Sequence, residues 1–580
     1  MPKIEVNERL FFSLLGDTYD YQKLEDRLTC AKAELDEKPD MSVSSDVRTI
    51  KIELNDTNRP DLWSTAGVAR QLRLHAKKGP GKNGNKADYS AFFSTQNDVK
   101  DCANRVVTVD PALKEIRPYM TAFVISGKPI DEPMLLDIIQ TQEKLCWNFG
   151  RKRRSISMGV YRSANISWPV HYKAVDPDKT SFVPLASDAP MTCRQILTDH
   201  PKGKEYGWIL AQAEKFPLLV DDKNEVLSMA PIINSATLGA VQVGDRDLLV
   251  EMTGTDMPSL VLATSIVACD FADAGYSILP VKVEHPYDTG FGKAVTTPYY
   301  FQKPASTTIP AINRLLGTEL KAAEIADALE RMGCAVEISK ETVAIRPPEY
   351  RNDFLHEVDI IEDVMMGREI SSFPPAKPSD FTIGRLTPVT LFSRKAKSLM
   401  VGLGYQEMIF NYLGSGKDFI ERMNIAGTEI GAKVIEISNP MTENYQFVRP
   451  SILPSLLAAE APSGNAVYPH RIFEIGKVAY LEESENTGTR TRQHLGFLSA
   501  SGEANFNEAA SQVASLLYYL DHDYSVFETQ DPRFIPGRQA GILVNGVQAG
   551  IFGEIHPQVL ENWTIGIPCV AGEIDLELLM

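Results

Sequence analysis

Apolar residues at helical spacing open the chain. In LEDRLTCAKAELDE (24–37), Leu24, Leu28, Ala31 and Leu35 recur near a 3.6-residue period with charges between them, which predicts an amphipathic helix. In NDTNRPDLWSTAGVARQLRLH (55–75), the turn formers Asn55, Asp56, Asn58 and Pro60 precede a helical face marked by Leu62, Ala66, Ala69 and Leu72. MLLDIIQTQEKLCWNFG (134–150) predicts one helix stopped by Gly150. The pattern then shifts to short apolar runs. SISMGVYR (155–162), YGWIL (206–210), FPLLVD (216–221), DLLVEMTG (247–254) and YSILPVKVEH (276–285) predict strands joined by polar turns.

A smaller region follows. KAAEIADALERMG (321–333) places Ile325, Leu329 and Met332 on one helical face and ends at Gly333. CAVEISKETVAIRPP (334–348) predicts a hairpin, and RNDFLHEVDIIEDVMMG (351–367) a helix with an acidic side. These elements fit a compact winged-helix-like unit. The prolines of SSFPPAKP (371–378) mark a linker. Beyond it, helices such as LFSRKAKSLMVGLG (391–404) alternate with strands such as RIFEIGKVAYL (471–481) and HLGFLSA (494–500), predicting an antiparallel sheet with helices against it. The expected architecture is multidomain α+β, divided at 1–85, 90–300, 304–376 and 377–580.

Length agrees with that division, since 580 residues allow about four domains of ordinary size. The N-terminal segment has no apolar stretch of the kind a signal peptide needs, and no run of 18 apolar residues occurs, so neither a leader nor a membrane helix is expected. Seven scattered cysteines form no C-x-x-C pair, which argues against a disulfide framework or a thiolate zinc site and favours a reducing cytoplasm. A net charge of -17 disfavours non-specific nucleic-acid binding over the whole surface but leaves room for a local basic contact. Lys77, Lys78, Lys82 and Lys86 in KKGPGKNGNK are one such place, and Arg151, Lys152, Arg153 and Arg154 another. Each run is open to two readings, an RNA phosphate contact or a solvated basic edge.

The candidate chemistry lies at 350–367. Asp359, Glu362 and Asp363 stand at i, i+3 and i+4, so one helix face carries three carboxylates, and Asp353 can join them from the preceding turn. Like charges so close repel, and Mg²⁺, which prefers carboxylate oxygen, would relieve the repulsion. The alternative is a solvated acidic face; His356 receives no ligand role. The chain has no G-x-x-x-x-G-K-[ST], H-E-x-x-H or G-x-S-x-G motif.

Six stretches in consistent order resemble the β-subunit family of phenylalanyl-tRNA synthetases, of the archaeal and eukaryotic type. They include ELNDTNRPDLWSTAGVAR (53–70), TQEKLCWNFGRKRRSISMGVYR (141–162), FPLLVDDKNEVLSMAPIINS (216–235), RDLLVEMTGTD (246–256), IRPPEYRNDFLHEVDIIEDVMMG (345–367) and ISNPMTENYQFVRPSILPSLL (437–457). The resemblance implies a cytoplasmic α₂β₂ enzyme that joins phenylalanine to tRNA(Phe) with ATP and Mg²⁺, the aminoacylation site lying on the α subunit. It implies an editing domain near 90–300 that hydrolyses mischarged tyrosyl-tRNA, with Leu219, Ser228, Glu251 and Thr253 in its pocket and Asn234 a weaker candidate. In at least some members the acid is an aspartate, so Glu251 departs by one methylene. The same resemblance assigns Asp353, Asp359, Glu362 and Asp363 to a Mg²⁺ that is structural or at the α contact. It makes the C-terminal region a class II synthetase-like domain without catalytic power. Glu474 takes the place of that class's second-motif acid, but Ile472 and Phe473 stand where an arginine is customary. A structural, tRNA-binding subunit with an inactive editing site is the alternative function, and a free-standing RNA- or metal-binding scaffold a third.

Overall fold

The computed structural model describes residues 2–76, 88–379 and 382–580, so the lysine run at 77–86 lies outside the described residues. The chain forms two compact units, Met1–Ala376 and Lys377–Met580.

The first unit carries three main sheets and a two-stranded pair, Ser181–Phe182 with Met191–Thr192; one apolar cluster joins the N-terminal sheet to the outer face of the second. Its N-terminal sheet has the order Lys3–Asn7, Thr49–Leu54, Ala33–Leu35, all antiparallel. The helix expected over 24–37 ends at Leu28. Thr29–Ala31 tighten into a 3₁₀ turn, Lys32 takes a left-handed φ of 51°, and Ala33–Leu35 pair as a strand with Thr49–Leu54. Four apolar residues imitated a helical period across a helix, a turn and a strand; the distant partner strand decided the outcome. The helix Thr65–His75 forms as expected, capped by Ser64, whose side chain accepts the Gly67 N–H.

The second sheet has ten strands. Its path runs Ile233–Asn234, Val226–Met229, Phe216–Val220, Val170–Val175, Val106–Val109, Ser277–Glu284, Tyr119–Ser126, Leu248–Gly254, Ile156–Arg162, with Ala294–Thr297 beside Ser277–Glu284. It is antiparallel except where Val106–Val109 lies parallel to both neighbours. The sheet curls until its ends meet: Asn234 Nδ2 donates to the Val160 carbonyl at 3.4 Å, and the Arg162 N–H to Leu238 at 3.2 Å. On the outer face, Leu248, Val250 and Met252 pack with Leu260, Ala263 and Val267 of the helix Met257–Asp273. On the inner face, Leu249 packs with Tyr161, Tyr172 and Leu219. Strand alternation therefore sends Glu251 and Thr253 inward with Leu249.

Two further expectations changed here. YGWIL is no strand: a helix over Pro201–Tyr206 runs into a 3₁₀ turn, Gly207–Ile209. Pro201 fits the first helical turn and the His200 ring accepts the Lys202 N–H, a start signal that outweighs the apolar run. The helix over 134–150 is α only across Glu132–Lys144; Leu145–Phe149 widen into a π turn ahead of Gly150.

The third sheet orders Ala305–Thr308, Thr342–Arg346, Ala335–Ser339, packed against the helices Ala322–Arg331 and Glu357–Gly367. The second unit is a seven-stranded sheet, Gln406–Glu407, His470–Leu481, Thr489–Ala500, Cys569–Asp575, Val547–Ile555, Phe534–Val544, Tyr524–Phe527. The helices Pro388–Gly402 and Phe506–Leu520 cover one face through Phe473, Leu495 and Phe497, and Leu453–Glu460 covers the other through Leu498 and Ala571. All seven cysteines are free, and among the described residues no helix is long and apolar enough to cross a membrane.

Candidate functional site

The curled sheet encloses a polar cluster in an otherwise apolar interior. Glu251 lies between Gly159 and Ala122 in register, two neighbours that leave its carboxyl room. A Cβ at Gly159 would stand 2.5 Å from Glu251 Oε1 and nearer still to the Tyr161 hydroxyl. Tyr161 Oη lies 2.8 Å from both Glu251 Oε1 and Ser228 Oγ. The phenol has one proton, so it donates to one of the two and accepts from the Ser228 hydroxyl when it donates to the carboxylate. Ser228 reaches this point from the far end of the sheet, in register with Leu219, and Leu219 is in turn paired with Tyr172.

Thr253 belongs to a second knot beside the first. Arg117, 1 % exposed, donates through Nε to Thr253 Oγ1 at 2.9 Å, through Nη2 to Ser157 Oγ at 3.0 Å, and through Nη1 to the Arg154 carbonyl at 3.0 Å. The turn after Thr253 is capped by Asp256, which accepts the Ser259 N–H, so Thr253 is free of capping duty.

Electrostatics mark Glu251. Burial pushes its carboxyl up from 4.5 to about 7, against the opposing pull of the Tyr161 hydrogen bond and the Arg117 charge. Its Oε2 is buried without a hydrogen-bond partner. A buried acid with one free oxygen, poised near neutrality, is a feature of functional sites more than of packing. Leu219, Ser228, Glu251 and Thr253 are thus brought to one interior, each at most 2 % exposed. Asn234 stays at the rim and bonds only main-chain carbonyls. Sequence reasoning missed Tyr161, Arg117 and Ser157. Tyr161 had a signal, since it shares a strand face with Gly159; Arg117 had none.

The four carboxylates of the other candidate site are dispersed among protein partners. Arg351, fully buried, bridges Asp353 and Asp363: Nε lies 3.0 Å from Asp353 Oδ1 and Nη1 2.5 Å from Asp363 Oδ2. Burial raises the Asp353 carboxyl, but Arg351 outweighs it and holds the group down at about 2. Asp359 folds back to accept the Leu355 and His356 N–H groups at 2.6 and 2.7 Å. Glu362 pairs with Lys32 at 2.8 Å, and Lys32 also holds Asp56. Among the described residues no group of three or more His, Cys, Asp or Glu side chains converges on a cation position. The donor chemistry suits a hard cation; as placed, the four side chains hold Arg351, main-chain N–H groups and Lys32. In the second unit, Glu474 is likewise closed off, its Oε2 2.9 Å from Arg449 Nη1 with both groups buried.

Comparison with known proteins identifies the lineage. Residues 306–368 match the tRNA synthetase B5 domain, and 373–576 the phenylalanyl-tRNA synthetase beta chain CLM domain. A phenylalanine–tRNA ligase beta subunit of Treponema pallidum is 50% identical over the full length of both chains. The chain belongs to the phenylalanine–tRNA ligase β-subunit family. Family members from Borrelia recurrentis and Borreliella burgdorferi are 44% and 45% identical, again over the full length of both chains. Among solved structures, an N-terminal fragment of the phenylalanyl-tRNA synthetase beta-subunit from Pyrococcus horikoshii is 34% identical, with a TM-score of 0.56, covering 63% of this chain and 99% of the fragment.

Proposed function

We propose that this chain is the β subunit of a cytoplasmic α₂β₂ phenylalanine–tRNA ligase, and that the curled-sheet interior hydrolyses tyrosyl-tRNA(Phe) made in error. Tyr161 carries the second part. The cluster already holds one phenol, its own, between the Glu251 carboxyl and the Ser228 hydroxyl at 2.8 Å each. A tyrosyl ring entering in place of Tyr161 meets the same two partners. A phenylalanyl ring leaves both unpaired in a dry interior, and that is the condition under which a hydroxyl is discriminated strongly. Leu219 then packs on the ring common to both amino acids, while Thr253, held by Arg117, orients the ester or a water. Entry requires the Tyr161 side chain to swing out, because each cluster residue is almost wholly buried.

Aminoacylation, with its ATP and phenylalanine, is assigned to the α subunit. The Arg449–Glu474 pair supports this, since it uses up the acid on the C-terminal sheet. The 306–368 and 373–576 matches support a B5 domain and a class II-like packing domain. The Pyrococcus fragment supports the archaeal and eukaryotic type, here with full-length bacterial relatives. Mg²⁺ on Asp353, Asp359, Glu362 and Asp363 would need Arg351 and Lys32 to let go, and no step above runs through it. A second reading, a tRNA-binding subunit with a silent site, draws on the closure of the cluster. The purified assembly decides between them: hydrolysis of preformed tyrosyl-tRNA(Phe), with phenylalanyl-tRNA(Phe) spared, is expected. Equal, background rates on both would leave only the silent reading.

A further inference from the structure

The π turn of Leu145–Phe149 feeds a loop in which Arg151, Lys152 and Arg153 take left-handed φ values of 49°, 55° and 66° in succession. Residues with a Cβ adopt that conformation at a cost, and three in a row persist only where the surroundings enforce them. Here the enforcement is plain. The Lys152 and Arg153 N–H groups donate to the Trp147 and Cys146 carbonyls at 2.8 Å, and the Ser155 N–H to Gly150 at 2.9 Å. The Arg153 side chain ties the loop down, stacking 4.2 Å over Tyr206 and donating to the Pro231 and Ile232 carbonyls.

With Arg153 as the anchor, Arg151, Lys152 and Arg154 are turned to solvent, and among the described residues none of the three forms an ion pair. On a chain of net charge -17, three cations without an ion pair, two of them on left-handed backbone, are a local reversal of sign. Trp147 lies beside them 47 % exposed, with Lys152 Nζ 5.1 Å from its ring centre. Grooves flank the loop on both sides. One, of about 890 Å³, is lined by Asn148, Arg151, Ser155 and Ser259; the other, of about 480 Å³, by Trp147, Asn148, Arg153 and Lys202. Of the acids at these grooves, Asp256 caps a helix and Glu205 pairs with Lys202, while Glu143 stands exposed at the second groove. Arg117 joins the loop to the buried cluster, with one nitrogen on the Arg154 carbonyl and another on Thr253.

We propose that the loop 147–154 is a single-stranded RNA-binding element, with phosphates on Arg151, Lys152 and Arg154 and a base stacked on Trp147. Exposed cations paired with an open aromatic ring are the chemistry of a sequence-tolerant single-strand contact. The inference rests on the reading above only in taking that strand to be the 3′ end of an aminoacyl-tRNA, delivered one arginine away from Glu251 and Thr253.

The test uses the full chain in its purified assembly and a fluorescent single-stranded RNA oligonucleotide, titrated at several salt concentrations. The combined variant R151Q/K152Q/R154Q should bind at least about tenfold more weakly, and its log K against log salt slope should fall by about 2, at about 0.7 per lost phosphate contact. Trp147→Ala should weaken binding by about tenfold while leaving the slope unchanged, because stacking carries no counterion release. Thermal melting controls for folding, and these exposed changes should leave it in place. Wild-type affinity and slope in the triple variant would overturn the proposal. So would unchanged RNA binding with loss of assembly, which would make the loop a protein interface. Because the oligonucleotide carries no amino acid, absent tyrosyl-tRNA hydrolysis would count against the editing reading alone.

Discussion

Replacing Glu251 by glutamine isolates the electrostatic cost of the buried acid. In the unfolded chain the carboxyl titrates at 4.5, and in the folded interior at about 7. Below 4.5 both states hold the proton and the group contributes no pH dependence. Between 4.5 and about 7 the folded state binds more proton than the unfolded one, so stability falls as pH rises; above about 7 the loss is complete. The shift of roughly 2.5 units corresponds to about 3 kcal/mol. Glutamine keeps the size and an acceptor for Tyr161 but stays neutral. The variant should therefore gain on the wild type by up to about 3 kcal/mol between about pH 5 and about pH 8. Denaturant unfolding at both pH values, followed by a probe in the first unit, measures the difference. Parallel pH profiles for the two proteins would refute the reasoning, since the carboxyl would then have to be solvated in the folded state.

Three further outcomes follow from the packing. Gly159→Ala should silence hydrolysis of tyrosyl-tRNA and cost about 1–3 kcal/mol, because the added methyl overlaps the space of Tyr161 and Glu251; deacylation and melting assays check it, with charging as the control. Arg351→Met should destabilise the first unit by about 3–5 kcal/mol, since Asp353 and Asp363 lose their counter-charge in a buried setting; denaturant titration reads this. The chain freed of its partner should retain less than one equivalent of Mg²⁺ after desalting, and Asp359→Ala with Glu362→Ala should not change that figure in elemental analysis, because protein groups already satisfy both side chains.

Local patterns revealed what local patterns encode. Strand alternation in DLLVEMTG put Glu251 and Thr253 on one face, and the curled sheet keeps them there because Leu249 shares their side. The Gly333 stop was legible for the same reason. Arg117 was not, because it meets Thr253 across 136 positions of chain and nothing near it signals the contact. The carboxylate face at 359–363 was read correctly as a spacing. Its side chains were nonetheless claimed by Arg351, by main-chain N–H groups and by Lys32, a residue more than three hundred positions away. Leu24 to Leu35 failed in the opposite way, a local period overridden by a partner strand.

The central claim is that Glu251 reads the tyrosyl hydroxyl in the curled-sheet interior, and single-turnover deacylation of preformed tyrosyl-tRNA(Phe) with excess enzyme tests it most directly. Glu251→Ala should slow hydrolysis by about ten- to a hundredfold, the range for losing one charge-assisted hydrogen bond of about 1.5–3 kcal/mol. Phenylalanine charging should be nearly unchanged, because the proposed function places that chemistry on the α subunit. An unchanged hydrolysis rate would remove Glu251 from the site, and a loss of charging alone would assign its effect to folding or assembly.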